Sequence, residues 1–264
     1  MIFVGDKHLQ ITLYFFAVYQ AITFDLWETL IADSTALDNK RAVYRVGRAH
    51  DILGRAGFDI SRKELESAHH EVWEKCRKKW ERARDISFSD QVKLFLNLAR
   101  PGLTDKLKPG TLKRIEKAYS QAVLLYPPRM IKGADRVLRE LRKEKYKLGL
   151  ICNTGRTPGF VLRRLLTRYR LLKYFDSALF SDETIIRKPN PGIFRLALKT
   201  LDCPPSRALH VGDDLKNDVQ GALKAGMDVL WIKQPGQKAP SNIKRIKSVA
   251  GLPRHLIKFA CPIR

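Results

Sequence analysis

The sequence predicts an α/β protein: a doubly wound, Rossmann-like parallel sheet with an inserted α-helical cap. Three observations carry this. Residues 21–30, AITFDLWETL, run as an apolar strand into Asp25. Residues 127–232 alternate amphipathic helical stretches with short apolar strands, the rhythm of a parallel sheet covered by helices on both faces. Between them, residues 38–125 show helical spacing and no convincing strand. The sheet thus starts, is interrupted and resumes, so the helical stretch is an insertion after the first core strand.

Residues 18–37 and 126–264 are assigned to the core domain and residues 38–125 to the cap. Residues 1–17 precede the first core strand and read as an extension, either an extra edge strand or a start site assigned too early. A secretory signal over residues 1–21 is disfavoured, because cleavage near Ala17 or Ala21 would cut into the strand that presents Asp25.

In the cap, Ala42, Val43, Val46, Ala49 and Leu53 mark one apolar helical face. Leu65, Ala68, Val72, Trp73, Cys76 and Trp80 mark a second. Val92, Leu94, Phe95 and Leu98 suggest a third, and Leu112, Ile115, Tyr119 and Ala122 a fourth. Gly57, residues 86–89 and Pro101-Gly102 punctuate them. This spacing reads as a bundle of about four helices. Trp73, Trp80 and Phe95 are assigned to its core. His69 and His70 are assigned to a solvated helix face. Arg41, Arg45 and Arg48 share one face, read as solvated, with recognition of an anionic substrate from the cap as the alternative.

In the core, residues 134–145 form an amphipathic helix and Lys147–Cys152 a strand. Thr157 is expected to cap a helix that has Pro158 at its first position. Ser177–Phe180 is the next strand. Asn190-Pro191 repeats the cap-proline device before a helix reaching Leu201. Strands at Ala208–Val211 and Asp228–Ile232 flank a helix at Asp218–Ala225, and Ser248–Phe259 closes the chain as a surface helix.

Composition narrows the class. The longest apolar run, Ile11 to Tyr19, is far shorter than the ~18 residues of a membrane helix, so no membrane partner is expected. Cys76, Cys152, Cys203 and Cys261 are scattered with no CxxC pair, which suggests neither a zinc site nor a disulfide framework and fits a reducing cytoplasm. Net charge is +23, and residues 233–264 contain no acid. That excess favours anionic partners: phosphorylated metabolites, nucleic acid or membrane surfaces. No base-reading motif supports nucleic acid.

Polar residues collect at the strand ends. Asp25 follows the first strand and Cys152, Asn153 and Thr154 the second. Lys188 precedes Pro189, and Asp213, Asp214 and Asp218 follow the strand ALHVG. In an open α/β sheet, ligands bind beyond the carboxyl ends of the strands, so these groups can converge. Two sources of carboxylate suit a hard divalent cation such as Mg²⁺. Each feature has a plainer reading: Asp218 as a helix cap, Lys188-Pro189 as a surface turn.

Taken in order, FDxxxTL at Phe24–Leu30 and GDDxxxD at Gly212–Asp218 resemble the haloacid-dehalogenase-like hydrolase superfamily. The resemblance spans roughly residues 18–260 and implies roles position by position. Asp25 matches the nucleophile that forms an aspartyl-phosphate, and Lys188 the lysine that steadies it. Asp213, with Asp214 or Asp218, matches the Mg²⁺-binding motif, and Trp27 can lend a backbone carbonyl to the ion. Cys152 matches the Ser or Thr that binds a phosphoryl oxygen, with Asn153 and Thr154 as further donors. Arg45 is the cap candidate for substrate contact.

Two positions depart from the pattern. Trp27 stands where most phosphatases of the superfamily have a second, acid/base Asp. Cys152 offers only a weak donor. Glu28, one position on, is a candidate substitute for the missing acid. The implied activity is slow Mg²⁺-dependent hydrolysis of a small phosphomonoester. The rivals are a non-catalytic phosphate-binding relative, a dehalogenase that uses Asp25 without metal, and a basic nucleic-acid-associated protein.

Overall fold

The computed structural model describes residues 19–238 and 240–260; the N-terminal extension expected at residues 1–17 lies outside the described residues. The chain enters through β1 (Ala21–Phe24), buried along its whole length. After a tight turn, β2 (Ile31–Ala32) pairs antiparallel with β3 (Arg129–Met130), the ribbon through which the chain leaves the core and returns. Between these strands lie α1 (Thr35–Arg55), α2 (Arg62–Trp80), α3 (Phe88–Ala99), the single turn α4 (Leu103–Lys106) and α5 (Pro109–Leu125). The core continues with α6 (Ala134–Lys143), β4 (Lys147–Cys152), α7 (Gly159–Arg168), β5 (Ser177–Phe180), α8 (Ser181–Thr184) and α9 (Pro191–Thr200). It closes with β6 (Ala208–Gly212), a π-helical turn at Leu215–Gln220 running into α10 (Gly221–Lys224), β7 (Asp228–Ile232), β8 (Arg245–Ile246) and α11 (Leu252–Ala260).

The six-stranded sheet has the order β5-β4-β1-β6-β7-β8 and is parallel throughout. Alternate residues face opposite layers, and both layers are apolar, as a doubly covered sheet requires. Ile22, Phe24, Leu150 and Val211 pack beneath α6 and α7. Ala21, Ile151, Ala208 and Trp231 pack beneath α9 and α10. The chain runs from β1 to β4 and β5 on one side, then crosses to β6 on the other. Residues after β1, β4 and β6 therefore border one crevice, the switch point at which such sheets bind ligands.

The cap has its own core. Val46, Leu53, Leu65, Val72, Phe95, Ile115 and Tyr119 form one buried cluster. Its helices start at strong local signals. Ser61 and Glu64 form a reciprocal capping box at α2, and Ser34 and Ser87 accept from Leu37 N and Asp90 N at α1 and α3. In two places the cap departs from its sequence pattern. Val43 lies outside the buried stripe, and Trp73 is 37% exposed rather than in the core.

Two helix starts in the core domain are also shifted. Asn190 caps α9 as expected, accepting from Gly192 N at 2.9 Å. Helix α7, however, begins at Gly159 with Pro158 in the cap position. The Asp182 carboxylate accepts the Gly159 N–H at 3.1 Å in place of Thr157. The helical segment expected from Asp218 begins at Leu215, capped by Asp214.

Candidate active site

Asp25 sits one residue beyond β1, its N–H still bound to Val211 O in the sheet at 2.9 Å. Lys188 arrives from the segment after α8. Its Nζ donates to Asp25 Oδ1 at 2.5 Å and to Asp218 Oδ1 at 2.6 Å, and all three residues are buried. Asp218 is held from behind: His210 Nε2 lies 3.2 Å from Oδ1, and Asp214 N donates to Oδ2 at 2.9 Å. His210 is anchored through Nδ1 to Thr23 Oγ1 at 2.8 Å. Two strand residues thus brace the carboxylate that braces Lys188. Neither Thr23 nor His210 was singled out from the sequence, since both sit inside apolar runs.

Asp25, Asp213 and Asp218 each bring an oxygen within 4.8 Å of the other two. Burial acts against the charge of Lys188, yet the two carboxylates outweigh it and hold the ammonium charged. Burial likewise opposes the charge on Asp218, but Lys188 and His210 overcome it and hold that carboxyl below its usual range. The other two acids are not so compensated. Burial pushes Asp25 up to about 7 against the pull of Lys188. Burial, with Asp25 and Asp218 nearby, pushes Asp213 up to about 8. The cluster has more negative charge than Lys188 neutralises. All-oxygen donors with such an excess fit Mg²⁺, which takes one or two carboxylates. Both Asp218 oxygens are already engaged, so Asp25 and Asp213 are the better placed ligands. Asp214 lies outside this three-carboxylate group and caps the next turn: its Oδ1 accepts from Lys216 N and Asn217 N at 2.8 and 2.7 Å. Conversely, Asp218 does not act as a side-chain cap.

The other motif residues are tied into the scaffold, and Asn153 and Thr154 also line the cleft. Cys152 is buried, its thiol donating to Asn153 O at 3.6 Å. Burial also pushes that thiol well above its usual value. Asn153 clamps the backbone of Lys188 from both ends of its amide, Nδ2 to Lys188 O at 3.0 Å and Lys188 N to Oδ1 at 2.8 Å. Thr154 is buried, taking Ser181 Oγ with its N–H at 2.8 Å and Asp182 N with its hydroxyl at 3.1 Å. Trp27 lines the cleft and packs against the core cluster. Glu28 adopts a left-handed φ of 54° in the turn, and its Oε1 accepts from Asp33 N at 2.9 Å. That bond ties the candidate substitute acid to the turn.

A cleft of about 800 Å³ lies between the cap and the loops that follow β1 and β4. Arg41 and Arg45 are not on a solvated face: they are 3% and 2% exposed and point into the junction, whereas Arg48 is half-buried. Arg41 is paired with Asp33. Arg45 Nε donates to Tyr119 O at 3.1 Å and its Nη2 to Thr157 Oγ1 at 3.2 Å, a bond from cap to core. His69 is likewise buried, its Nδ1 2.7 Å from the Tyr119 hydroxyl, while His70 is exposed. A second seam lies at Asp85, whose carboxylate accepts Arg187 Nη1 at 2.8 Å, Trp80 Nε1 at 2.7 Å and the Ser181 hydroxyl.

A family model, haloacid dehalogenase-like hydrolase, matches residues 19–226, and the chain belongs to that family. The chain is 37% identical to a glyceraldehyde 3-phosphate phosphatase of Pyrococcus furiosus over 105 residues, 40% of this chain and 42% of that protein. It is 32% identical to a phosphoserine phosphatase of Thermus thermophilus over 124 residues, 47% and 48% of the two chains. These matches thus span under half of either relative. Among solved structures, a 2-haloacid dehalogenase from Pseudomonas syringae covers 91% of this chain and 99% of its own, with TM-score 0.66 and 22% identity. A HAD phosphatase from Thermococcus onnurineus covers 90% and 97%, with TM-score 0.59 and 23% identity. Both share the fold. Among the described residues no helix is long and apolar enough to cross a membrane.

Proposed function

We propose that this protein is a Mg²⁺-dependent phosphatase that hydrolyses a small phosphomonoester through Asp25. The observation that carries the reading is the placement of Lys188 between Asp25 and Asp218, with Asp213 completing a three-carboxylate cluster. The names of the two phosphatase relatives lend it support.

Asp25 attacks phosphorus with one carboxylate oxygen. The P–O ester bond breaks, the leaving alkoxide takes up a proton, and the phosphoryl group rests on Asp25. Water then attacks that phosphorus, restoring the carboxylate and releasing inorganic phosphate. Lys188 holds the nucleophile in place and offsets charge building on the phosphoryl oxygens. Asp25 and Asp213, with the Trp27 carbonyl, would hold Mg²⁺, which supplies Lewis-acid polarisation of the phosphoryl oxygens when bound. Asn153 fixes the path of Lys188. With Trp27 in place of a carboxylate, the alcohol gains little help from acid catalysis, which sets a slow rate. Arg45 contacts the substrate from the cap. A cytoplasmic location is supported by Cys76, Cys152 and Cys203, all buried and free.

A phosphoester panel assayed with and without Mg²⁺, on wild type and Asp25→Asn, tests the reading. Metal-dependent turnover that Asp25→Asn abolishes is expected. Turnover that survives Asp25→Asn overturns it.

A further inference from the structure

Two guanidinium groups bordering the cleft lack an acid. Arg41 is paired with Asp33, and Arg187 with Asp85. Among the described residues, neither Arg45 nor Arg156 has a carboxylate within ion-pairing distance, although Arg45 is only 2% exposed. Burial pulls the Arg45 guanidinium down to about 10, so it remains charged near neutrality.

Both groups gather around Tyr119. The Arg45 guanidinium carbon lies 5.3 Å from the centre of the Tyr119 ring. Arg156 stacks on Trp73 at 4.6 Å and donates through Nη2 to His69 O at 3.1 Å. Burial, then Arg156 and Arg45, hold His69 neutral. The positive charge of the two arginines faces the Tyr119 oxygen. An O–H donated to His69 Nδ1, 2.7 Å away, leaves the imidazole proton on Nε2.

Three N–H donors remain. Arg45 Nη1, Arg156 Nε and His69 Nε2 are buried without a hydrogen-bond partner, and all three residues line the cleft. Buried donors are ordinarily satisfied, and a charged one left bare is costly. Two cations without a carboxylate partner among the described residues, and a neutral imidazole, thus border one cleft and supply the makings of an oxyanion cradle.

We propose that Arg45, His69 and Arg156 form a subsite for a second anionic group of the substrate, a carboxylate or a second phosphate. The preferred substrate is then a phosphomonoester with an oxyanion at its far end. The inference rests on the reading of Asp25 as the phosphoryl acceptor; the cradle selects which ester reaches it.

The test compares three-carbon phosphomonoesters that end in a carboxylate, a second phosphate or a neutral hydroxyl. Wild type should prefer one of the anionic tails by about 30-fold or more in kcat/KM, the effect of one buried charge-assisted contact. The better tail identifies the oxyanion. Arg156→Met should collapse that ratio, mostly through KM, and Arg156→Lys should restore part of it. A wild-type enzyme indifferent to the tail, or a ratio that survives both Arg156→Met and Arg45→Met in folded protein, overturns the proposal. Calorimetric titration with 3-phosphonopropionate needs no turnover and keeps the subsite separate from the hydrolase reading. Binding weakened about 30-fold by Arg156→Met supports the cradle even if no ester is hydrolysed, and equal binding by both proteins overturns it.

Discussion

Asp85, on the cap loop between α2 and α3, accepts a 2.8 Å hydrogen bond from Arg187, the residue just before Lys188. The Asp85 side chain is inaccessible to solvent and that of Arg187 is 14% exposed. Arg187 also stacks on Trp80 at 4.3 Å and donates to Thr154 O at 2.6 Å. One ion pair therefore ties the cap to the segment carrying Lys188.

Breaking that pair from one side strands a buried charge. Asp85→Ala should destabilise the protein by about 3 kcal/mol, since it leaves Arg187 without its counter-ion. Urea unfolding measures this. Arg187→Met in the Asp85→Ala background should recover part of the loss, because no bare charge then remains. A double mutant as unstable as the summed single effects would show that the two side chains act independently.

Asp218 leans against the bare α-carbon of Gly212. A Cβ at Gly212 would collide with the Cβ and carboxylate of Asp218, a side chain too short to swing clear. Gly212→Ala should therefore displace Asp218 from Lys188. Overpacking of this kind costs about 1–3 kcal/mol, so the fold should survive. Turnover should fall much further than stability does. Thermal unfolding and kcat measured on the same preparation check this, and an alanine variant with wild-type kcat counts against a role for the Asp218–Lys188 contact.

The carboxylate cluster makes a prediction that needs no catalysis. Mg²⁺ at a hundred times its dissociation constant should stabilise the wild type by about 2.7 kcal/mol, through binding to the folded state alone. Asp213→Asn should blunt that rise, and EDTA should remove it. Asp214→Asn should leave the Mg²⁺ response intact, because Asp214 serves the turn at Leu215–Gln220. A response lost in Asp214→Asn and kept in Asp213→Asn would reverse the assignment.

The legible parts of this fold were those encoded locally. Strands were readable because their apolar runs end at Asp25, Cys152 and Gly212. The start of α9 was readable because Asn190 and Pro191 are adjacent. What escaped depends on partners far along the chain. Arg45 belongs to an arginine stripe that looks solvated, but Tyr119 and Thr157, 74 and 112 residues away, take its guanidinium. His69 is buried against Tyr119 across 50 residues. Asn153 follows the β4 strand end where a ligand donor is expected, yet its amide is matched to Lys188 across 35 residues. Asp85 carries no motif. Its function arises only when the cap loop meets the segment after α8. The Asp214 and Asp218 roles were interchangeable on paper because both follow β6, and the helical turn beginning at Leu215 separates them.

Trp27 bears directly on how fast the proposed hydrolysis can run. It lines the cleft two residues after Asp25, and neighbouring Glu28 is bonded to Asp33 N. No carboxylate from this turn is free to protonate the leaving oxygen or to activate water. An ester with a good leaving group needs that help least, so p-nitrophenyl phosphate should turn over faster than an alkyl phosphate. The phosphorylated Asp25 should also persist long enough to be trapped by acid quench. Trp27→Asp should raise turnover of the alkyl ester by up to ~10²-fold, within the usual range of general acid/base catalysis. It should raise the p-nitrophenyl rate less, which separates acid catalysis from a mere opening of the cleft. Asp25→Asn should abolish both activities and the trapped phosphate. If wild type and folded Trp27→Asp both show no turnover and no covalent phosphate, hydrolysis is excluded. The Asp25 site would then be one that binds a phosphoryl group without cleaving it.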